Sequence, residues 1–539
     1  MLVDRRVLAV VHNVTAATRL LDVLDLVASD TRVQVEFVIT GSSAFTGGTE
    51  RFLLDNGIVA RPLADIDGRG YDLAIAASHG GDLTHVNAPL VILPHGTGYN
   101  KYLSRNPKSE IRNPKSEVAD PVFGLSPDWL LDGDTVIPAA LVLSHPEQRD
   151  RLARSCPEAL PAVVLAGDPC FDRMIASAPL RPVYRRALGV DARRRLVMIS
   201  STWGPDSLFQ LHPDLPLRLA AELPIDEYQI VAALHPNIWY QHGQWQVRMW
   251  MERCRRAGVT LLPPHEGWRA ALVAADIVIG DHSSVSFYGA ALGRPTLLAT
   301  AATRTVAADS AVGRFLAAAD MFDHGAPAGT QIEAAITDHD PRREPLASIT
   351  ALTTSVPGQA MSLLRAEFYR LLDLNEPETP ADVRAVPVPE RVEPEAGAQL
   401  VTVDLSSDGA TITRFAAEAN APRPGTHLSV ETTEPKQRLL NLAEIVMVPD
   451  ADDVVSVLSG LPGCLIATGP TRQGTWRVVS ALGDALEFSG PGRVCASVVH
   501  AWLSAGRDLA AFPRRMTLRI GPSVTRLRLV SPAPGEHHP

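Results

Sequence analysis

Short runs of branched apolar residues, each breaking off at a glycine or a polar turn and followed by a stretch of helical period, dominate the first 374 residues. RVLAVVHN at 6–13 is one such run. The leucines and valines of VTAATRLLDVLDLVAS behind it recur at helical spacing, and VQVEFVIT at 33–40 completes a strand–helix–strand unit. YDLAIAAS (71–78), APLVILPH (88–95) and VIPAALVLS (136–144) continue the series, the last leading into the helical HPEQRDRLARS. Strands that alternate with helices and read as buried on both faces predict an α/β fold with a parallel, doubly wound sheet.

A second series starts near residue 194. Its strands are LVMISSTW (196–203), YQIVAALHP (228–236), GVTLLPP (258–264), DIVIGDHSS (276–284) and RPTLLAT (294–300). Helical stretches at 212–223, 240–257, 266–275 and 284–292 separate them, and 355–374 reads as a closing helix. A chain of 539 residues is too long for one core and divides into about three or four units. The expected units are Rossmann-like domains at 1–190 and 191–374, a Pro- and Glu-rich solvated linker at 375–397, a small α/β domain at 398–531 and a disordered tail at 532–539. Two Rossmann-like halves facing each other leave a cleft at the carboxyl ends of both sheets, where open α/β sheets bind ligands.

Aromatics make up only 5% of the chain, so the cores must be aliphatic. Fifty basic against sixty acidic residues give a net charge of −10, which excludes a global cationic field for nucleic acid. The five cysteines (156, 170, 254, 464, 495) form no C-x-x-C pair. They fit neither a disulfide framework nor a zinc site, and point to a reducing compartment. MLVDRRVLAVVHNV is basic and then apolar like a signal peptide, but its apolar run is short and ends in His12-Asn13, so it reads as a first strand. No uninterrupted apolar stretch is long enough to span a membrane, and a cytoplasmic protein is expected. RNPKSEI (105–111) is followed directly by RNPKSEV (112–118), a tandem repeat that reads as a duplicated surface loop; its Arg105, Lys108, Arg112 and Lys115 would otherwise face an anionic partner.

Three strand ends carry chemistry. In ADIVIGDHSSVSFYGAALGRPTLL (275–298) a strand ends at Asp281, and Ser283-Ser284 open a helix whose free N–H groups suit a phosphate; the same residues would equally serve as a helix cap. VILPHGTGYNKY (91–102) emits His95 before Gly96, Thr97 and Gly98, placing a histidine where it serves either as general base or as a turn residue bonded to backbone, with Lys101 adding charge nearby. IVAALHPN (230–237) ends on His235, and SSTWG (200–204) brings Ser201, Thr202 and Trp203 to the same border. Glu266 precedes a helix and is a first-turn cap or a ribose ligand. Asp132-Gly133-Asp134 spells D-x-D but reads as a turn, and no P-loop, G-x-S-x-G or H-E-x-x-H pattern occurs.

The HGT turn at 95–97, GDP-x-x-D at 167–172, the strand ending S-x-TW, the HP-ended strand and D-x-SS before a helix occur in that order. This set resembles the CDP-glycerol glycerophosphotransferases, the teichoic-acid polymerase and primase family of GT-B fold, over about residues 90–300. The resemblance implies His95 as base, His235 on the donor phosphates, and Ser283 and Ser284 on the pyrophosphate, with Asp281 and Thr202 beside them and Gly96, Thr97, Trp203 and Glu266 lining the cleft. The N-terminal domain would then take the acceptor and the second domain the nucleotide. It further implies a nucleotide-activated donor, a polymer or glycan acceptor, no cofactor, no metal, and a location compatible with peripheral contact at the inner face of the membrane. The chain departs from the family at Gly204, where an arginine is usual, at His282, where a tyrosine is usual, and in GYNKY after HGT. A UDP-sugar glycosyltransferase or 2-epimerase-like enzyme, and a non-catalytic nucleotide sensor, share the same phosphate logic and stand as rival readings.

Overall fold

The computed structural model describes residues 3–41, 46–66, 70–103, 121–391, 396–419 and 423–532. The tandem repeat at 105–118 and the tail beyond 532 lie outside them. The first sheet contains β1 (Arg5–Val11), β2 (Val33–Ile39), β3 (Ala60–Pro62), β4 (Leu73–Ala76) and β5 (Leu90–Ile92). After a small hairpin of β6 (Leu131–Asp132) and β7 (Thr135–Val136), it is completed by β8 (Ala140–Leu143) and β9 (Val163–Leu165). The order is β3-β2-β1-β4-β5-β8-β9, parallel throughout. Val7–Val11 are buried on both faces, as a central strand between two parallel neighbours requires. Asn13 stops β1 and starts the helix Val14–Val23, its side chain accepting from the Ala16 N–H. Asp132-Gly133-Asp134 is the turn of the hairpin, with Gly133 at φ +59°.

The second sheet repeats the design with β10 (Arg195–Ser201), β11 (Tyr228–Leu234), β12 (Thr260–Leu261), β13 (Ile277–Gly280), β14 (Thr296–Leu298) and β15 (Asp320–Met321). Its order, β12-β11-β10-β13-β14-β15, is that of a Rossmann sheet, and the strand order reverses beside β10 just as it does beside β1. The two doubly wound domains form a GT-B pair, and ligand crevices follow at both switch points.

The helix Ala360–Leu372, assigned from sequence to the second domain, packs into the first. Met361, Leu364, Phe368, Tyr369 and Leu372 share a core with Val7, Leu20 and Leu73, and Arg5 donates to the Leu372 carbonyl at 2.6 Å. Asp172 caps this helix by accepting from the N–H groups of Gly358 and Ala360 at 2.7 and 2.9 Å.

The segment after it is largely exposed over 375–391, yet it is also anchored to the body. Its extended backbone keeps its hydrogen-bonding groups available, and the body takes them: Tyr184 donates to Val386 O at 2.7 Å, Val386 N–H to Ser177 Oγ at 2.8 Å, and Arg365 to Thr379 O at 2.6 Å. Val386 itself is buried.

The strands expected in 398–531 are present, and they close on themselves. β16 (Ala398–Leu405), β17 (Gly409–Ala416), β18 (His427–Glu431), β19 (Ile445–Met447), β20 (Ile466–Pro470), β21 (Trp476–Ser480), β22 (Ala485–Ser489), β23 (Arg515–Ile520) and β24 (Ser523–Pro532) form a closed barrel. The helix Gly492–Ser504 contributes Val494, Val498, Val499 and Trp502 to the core formed with Val401, Ile412 and Phe488. The barrel is fixed to the second domain by Arg414, which pairs with Asp226 at 2.6 Å, and by Arg256 with Glu418 and Glu434.

Candidate functional site

The carboxyl ends of β1, β5, β10, β11 and β13 open on a cleft of about 860 Å³ between the two domains. His95, Gly96, Thr202, Trp203, His235, Ser283 and Ser284 line it. Thus seven of the ten residues singled out from the sequence converge there, from strand ends up to 189 positions apart in the chain (284 against 95).

The two histidines are held in opposite tautomers. His95 Nδ1 lies 3.2 Å from the Ala77 carbonyl. A carbonyl only accepts, so this nitrogen carries the hydrogen and Nε2 keeps its lone pair. His235 Nδ1 instead accepts from the Asn237 N–H at 3.1 Å, capping the helix Pro236–His242, so its Nε2 carries the hydrogen. One imidazole offers a proton acceptor and the other a donor. Burial lowers the pKa of His95 to about 4 and of His235 to about 3, with the charge of Lys101 adding to both. Both rings are therefore neutral near pH 7.

Ser283 is the N-cap of the helix Ser284–Ala291 and accepts from the Ser286 N–H at 3.2 Å. Ser284 faces the other domain, where its Oγ lies 3.3 Å from the Thr97 N–H and 3.2 Å from Thr97 Oγ1. A Cβ on residue 96 would sit 2.6 Å from that same Oγ, which accounts for glycine there.

Three expected site residues lie elsewhere. Asp281 is wholly buried beneath the cleft, where it accepts from the N–H groups of Thr202 and Leu208 at 2.8 and 3.0 Å. It fixes the turn after β10, and a carboxylate so placed offers nothing to a phosphate. Thr97 is buried against Ser284 and does not line the cleft. Glu266 accepts from the Gly267 N–H at 3.0 Å and pairs with Arg269, while its neighbours His265 and Trp268 take the cleft wall. Its carboxylate is engaged at the helix start and by Arg269, away from the cleft wall.

Sequence reasoning passed over Arg19 and Tyr288, which also line the cleft. Arg19, Arg173 and Arg269 all pair with buried Asp22, drawing helices of both domains together. Tyr288 donates to Asp168 at 2.6 Å, and Asp168 also caps the helix Pro169–Ala176. Arg19 sits four residues after Thr15 and three before Asp22 on one helix face, a polar stripe that helical spacing alone would reveal.

Among the described residues no group of three or more His, Cys, Asp or Glu side chains is placed to hold a metal ion. No helix among them is long and apolar enough to cross a membrane. All five cysteines are buried and unbonded to one another.

No family model and no curated protein sequence matches the chain. Solved structures do resemble it. The wall teichoic acid polymerase TagF is 12% identical, with a TM-score of 0.44 over 69% of this chain and 90% of that one. The UDP-GlcNAc 2-epimerase from Neisseria meningitidis is 12% identical, with a TM-score of 0.39 over 69% and 100%. A glycosyltransferase from Rickettsia africae is 8% identical, with a TM-score of 0.38 over 69% and 98%. The GT-B architecture rests on the strand orders of this chain itself.

Proposed function

We propose that the protein is a GT-B transferase that moves a glycerol-phosphate or related polyol-phosphate from a CDP-activated donor to a hydroxyl of a cell-wall or glycan polymer. The observation that carries this reading is the pair of oppositely held histidines across a cleft whose far wall is a serine-capped helix N-terminus. In the reaction, the acceptor oxygen attacks the β-phosphorus, the bond from that phosphorus to CMP breaks, and CMP departs. His95 Nε2 takes the acceptor proton, and His235 Nε2–H donates to the phosphate oxygens. The N–H groups at the start of the helix Ser284–Ala291 receive the diphosphate charge. Positioning and charge stabilisation are the main demands of such a transfer.

A second reading, a UDP-sugar enzyme of the same architecture, is favoured by Gly204. It has φ +98°, a backbone that an arginine would not adopt without strain, so a donor grip built on a cation at that position is foreign to this turn.

The test is nucleotide release from CDP-glycerol, CDP-ribitol, UDP-GlcNAc and UDP-glucose. CMP release above a His95→Ala control is the expected result. UDP release would move the protein to the sugar transferases, and binding without turnover to the sensors.

A further inference from the structure

The cleft contains a cation with no direct ion pair among the described residues; the carboxylate that attracts it is Asp281, buried beneath the cleft. Arg19 and Lys101 are the arginine and lysine that line it. Arg19 is buried and committed to Asp22 at 2.9 Å. Lys101, open to solvent within the cleft, has neither an ion pair nor a hydrogen bond from its amino group among the described residues.

Lys101 belongs to the N-terminal domain, where its carbonyl accepts from the Phe123 N–H at 2.8 Å, and its flanking backbone is held by the second domain as well. The Ala307 N–H donates to Asn100 O at 2.7 Å and the Tyr102 N–H donates to Thr305 O at 3.1 Å. Lys101 thereby pairs with Val306 in an isolated antiparallel bridge. Bonds on both sides fix the root of the side chain, leaving only its own torsions free. Its charge bears on His95, His235 and His282 together and lowers the pKa of each, after burial.

His282 supplies the second half of the site. It is 6% exposed, lines the same cleft, and leaves Nδ1 without a hydrogen-bond partner. A buried ring nitrogen left so calls for a water or a ligand to complete it. It stands immediately before the serine-capped helix, whose N–H groups already favour an anion.

We infer that Lys101 and His282 together grip the distal phosphate of a nucleoside-diphosphate-linked donor, the lysine being supplied across the domain boundary. The inference rests on the donor reading above and names the residues that hold the charge the transfer leaves exposed. A lysine acts on phosphate as a point charge, so reach matters more than fork geometry. Because the segment 100–102 is bonded to both domains, the cation is placed at their junction, where donor and acceptor would meet. The arrangement also puts a positive group at the cleft where the turn at Gly204 offers none.

Inorganic pyrophosphate tests the grip without the nucleoside. Calorimetric titration of the full-length protein should show binding that Lys101→Met weakens about tenfold or more, whereas Lys101→Arg stays within about threefold. The affinity of the wild type should fall with added salt, and that dependence should flatten in Lys101→Met. His282→Asn should weaken binding severalfold with Lys101 intact. Lys101→Met should melt within a few degrees of the wild type, because the amino group makes no direct ion pair or hydrogen bond among the described residues. Equal binding by the wild type and Lys101→Met, or no binding by the wild type, would overturn the grip. The donor panel separates the two proposals. Lys101-dependent pyrophosphate binding without turnover of any donor keeps the grip and removes the transferase. Turnover with donor affinity untouched in Lys101→Met does the reverse.

Discussion

Thr97 and Ser284 belong to different domains, and their hydroxyl oxygens lie 3.2 Å apart. The Thr97 N–H points to the same Ser284 oxygen at 3.3 Å, so the turn after β5 is seated on the start of the helix Ser284–Ala291. This contact sets how far the base-bearing turn stands from the wall proposed to hold the donor. A displacement of about 1 Å at such a point costs a transferase up to about a hundredfold in rate.

Gly96→Ala follows from that contact. The new Cβ would lie 2.6 Å from Ser284 Oγ, closer than any real contact, so the turn or the serine must move. Turnover should fall about 10–100-fold while the protein stays folded, since only this junction is disturbed. Steady-state kinetics with the donor found active, alongside a thermal melt, measure both. Wild-type turnover in Gly96→Ala would mean that this seating does not set the reacting distance.

His95 makes a prediction about pH. Its pKa is lowered to about 4, by burial first and by Lys101 in the same sense, with the bond to Ala77 O opposing. A base with a lowered pKa is competent above that value and fails only when pH falls through it. The acid limb of kcat/KM should therefore lie well below 6, the region where an ordinary imidazole would titrate. His95→Gln should lose about two to four orders of magnitude in kcat. An acid limb near 7 would show that another group supplies the base.

Asp22 joins the domains through Arg19, Arg173 and Arg269. Its side chain and that of Arg269 are each only 4% exposed, so solvent would compensate little if the charge were removed. Asp22→Asn leaves three guanidiniums against Glu266 alone, and a buried pair broken from one side costs about 3–5 kcal/mol. A denaturant or thermal unfolding curve should show that loss. A change under about 1 kcal/mol would mean the arginines find other partners.

The strand ends were legible because period and composition change together there: a branched run stops at His95, His235 or Asp281, and a helix begins. That reading placed His95, Trp203, His235 and Ser283 on one cleft wall or the other. It fell short where a residue's partner decides between two roles. Glu266 reads as a first-turn cap or a ribose ligand until Arg269, three residues on, is seen to hold it. Asp281 reads as part of a phosphate site until Thr202 and Leu208, more than 70 residues earlier, are seen to bond it. The helix 360–372 carries an apolar face that fits either domain, and only packing assigns it to the first. Barrel closure depends on β17 meeting β23 about a hundred residues later, a pairing that strand pattern does not encode.

Gly204 shows how a departure read as a deficit in the sequence is a backbone requirement in the structure. The residue sits at φ +98° with no atom within 4 Å of where a Cβ would be, so a side chain there meets no clash and suffers only from the backbone conformation. Gly204→Ala and Gly204→Arg should then lose the same stability, about 1–3 kcal/mol, since the strain arises at Cβ and not at the end of the side chain. The turn also carries Ser207, which donates to Gly204 O at 2.8 Å, and Thr202, whose N–H is held by Asp281. Shifting φ would pull on both, so donor KM should rise in Gly204→Arg despite the added positive charge. Melting temperatures and donor kinetics of the two variants decide it. An arginine variant that melts like wild type and binds donor more tightly would show that the turn accepts a cation, and that Lys101 and His282 leave donor charge for it to take.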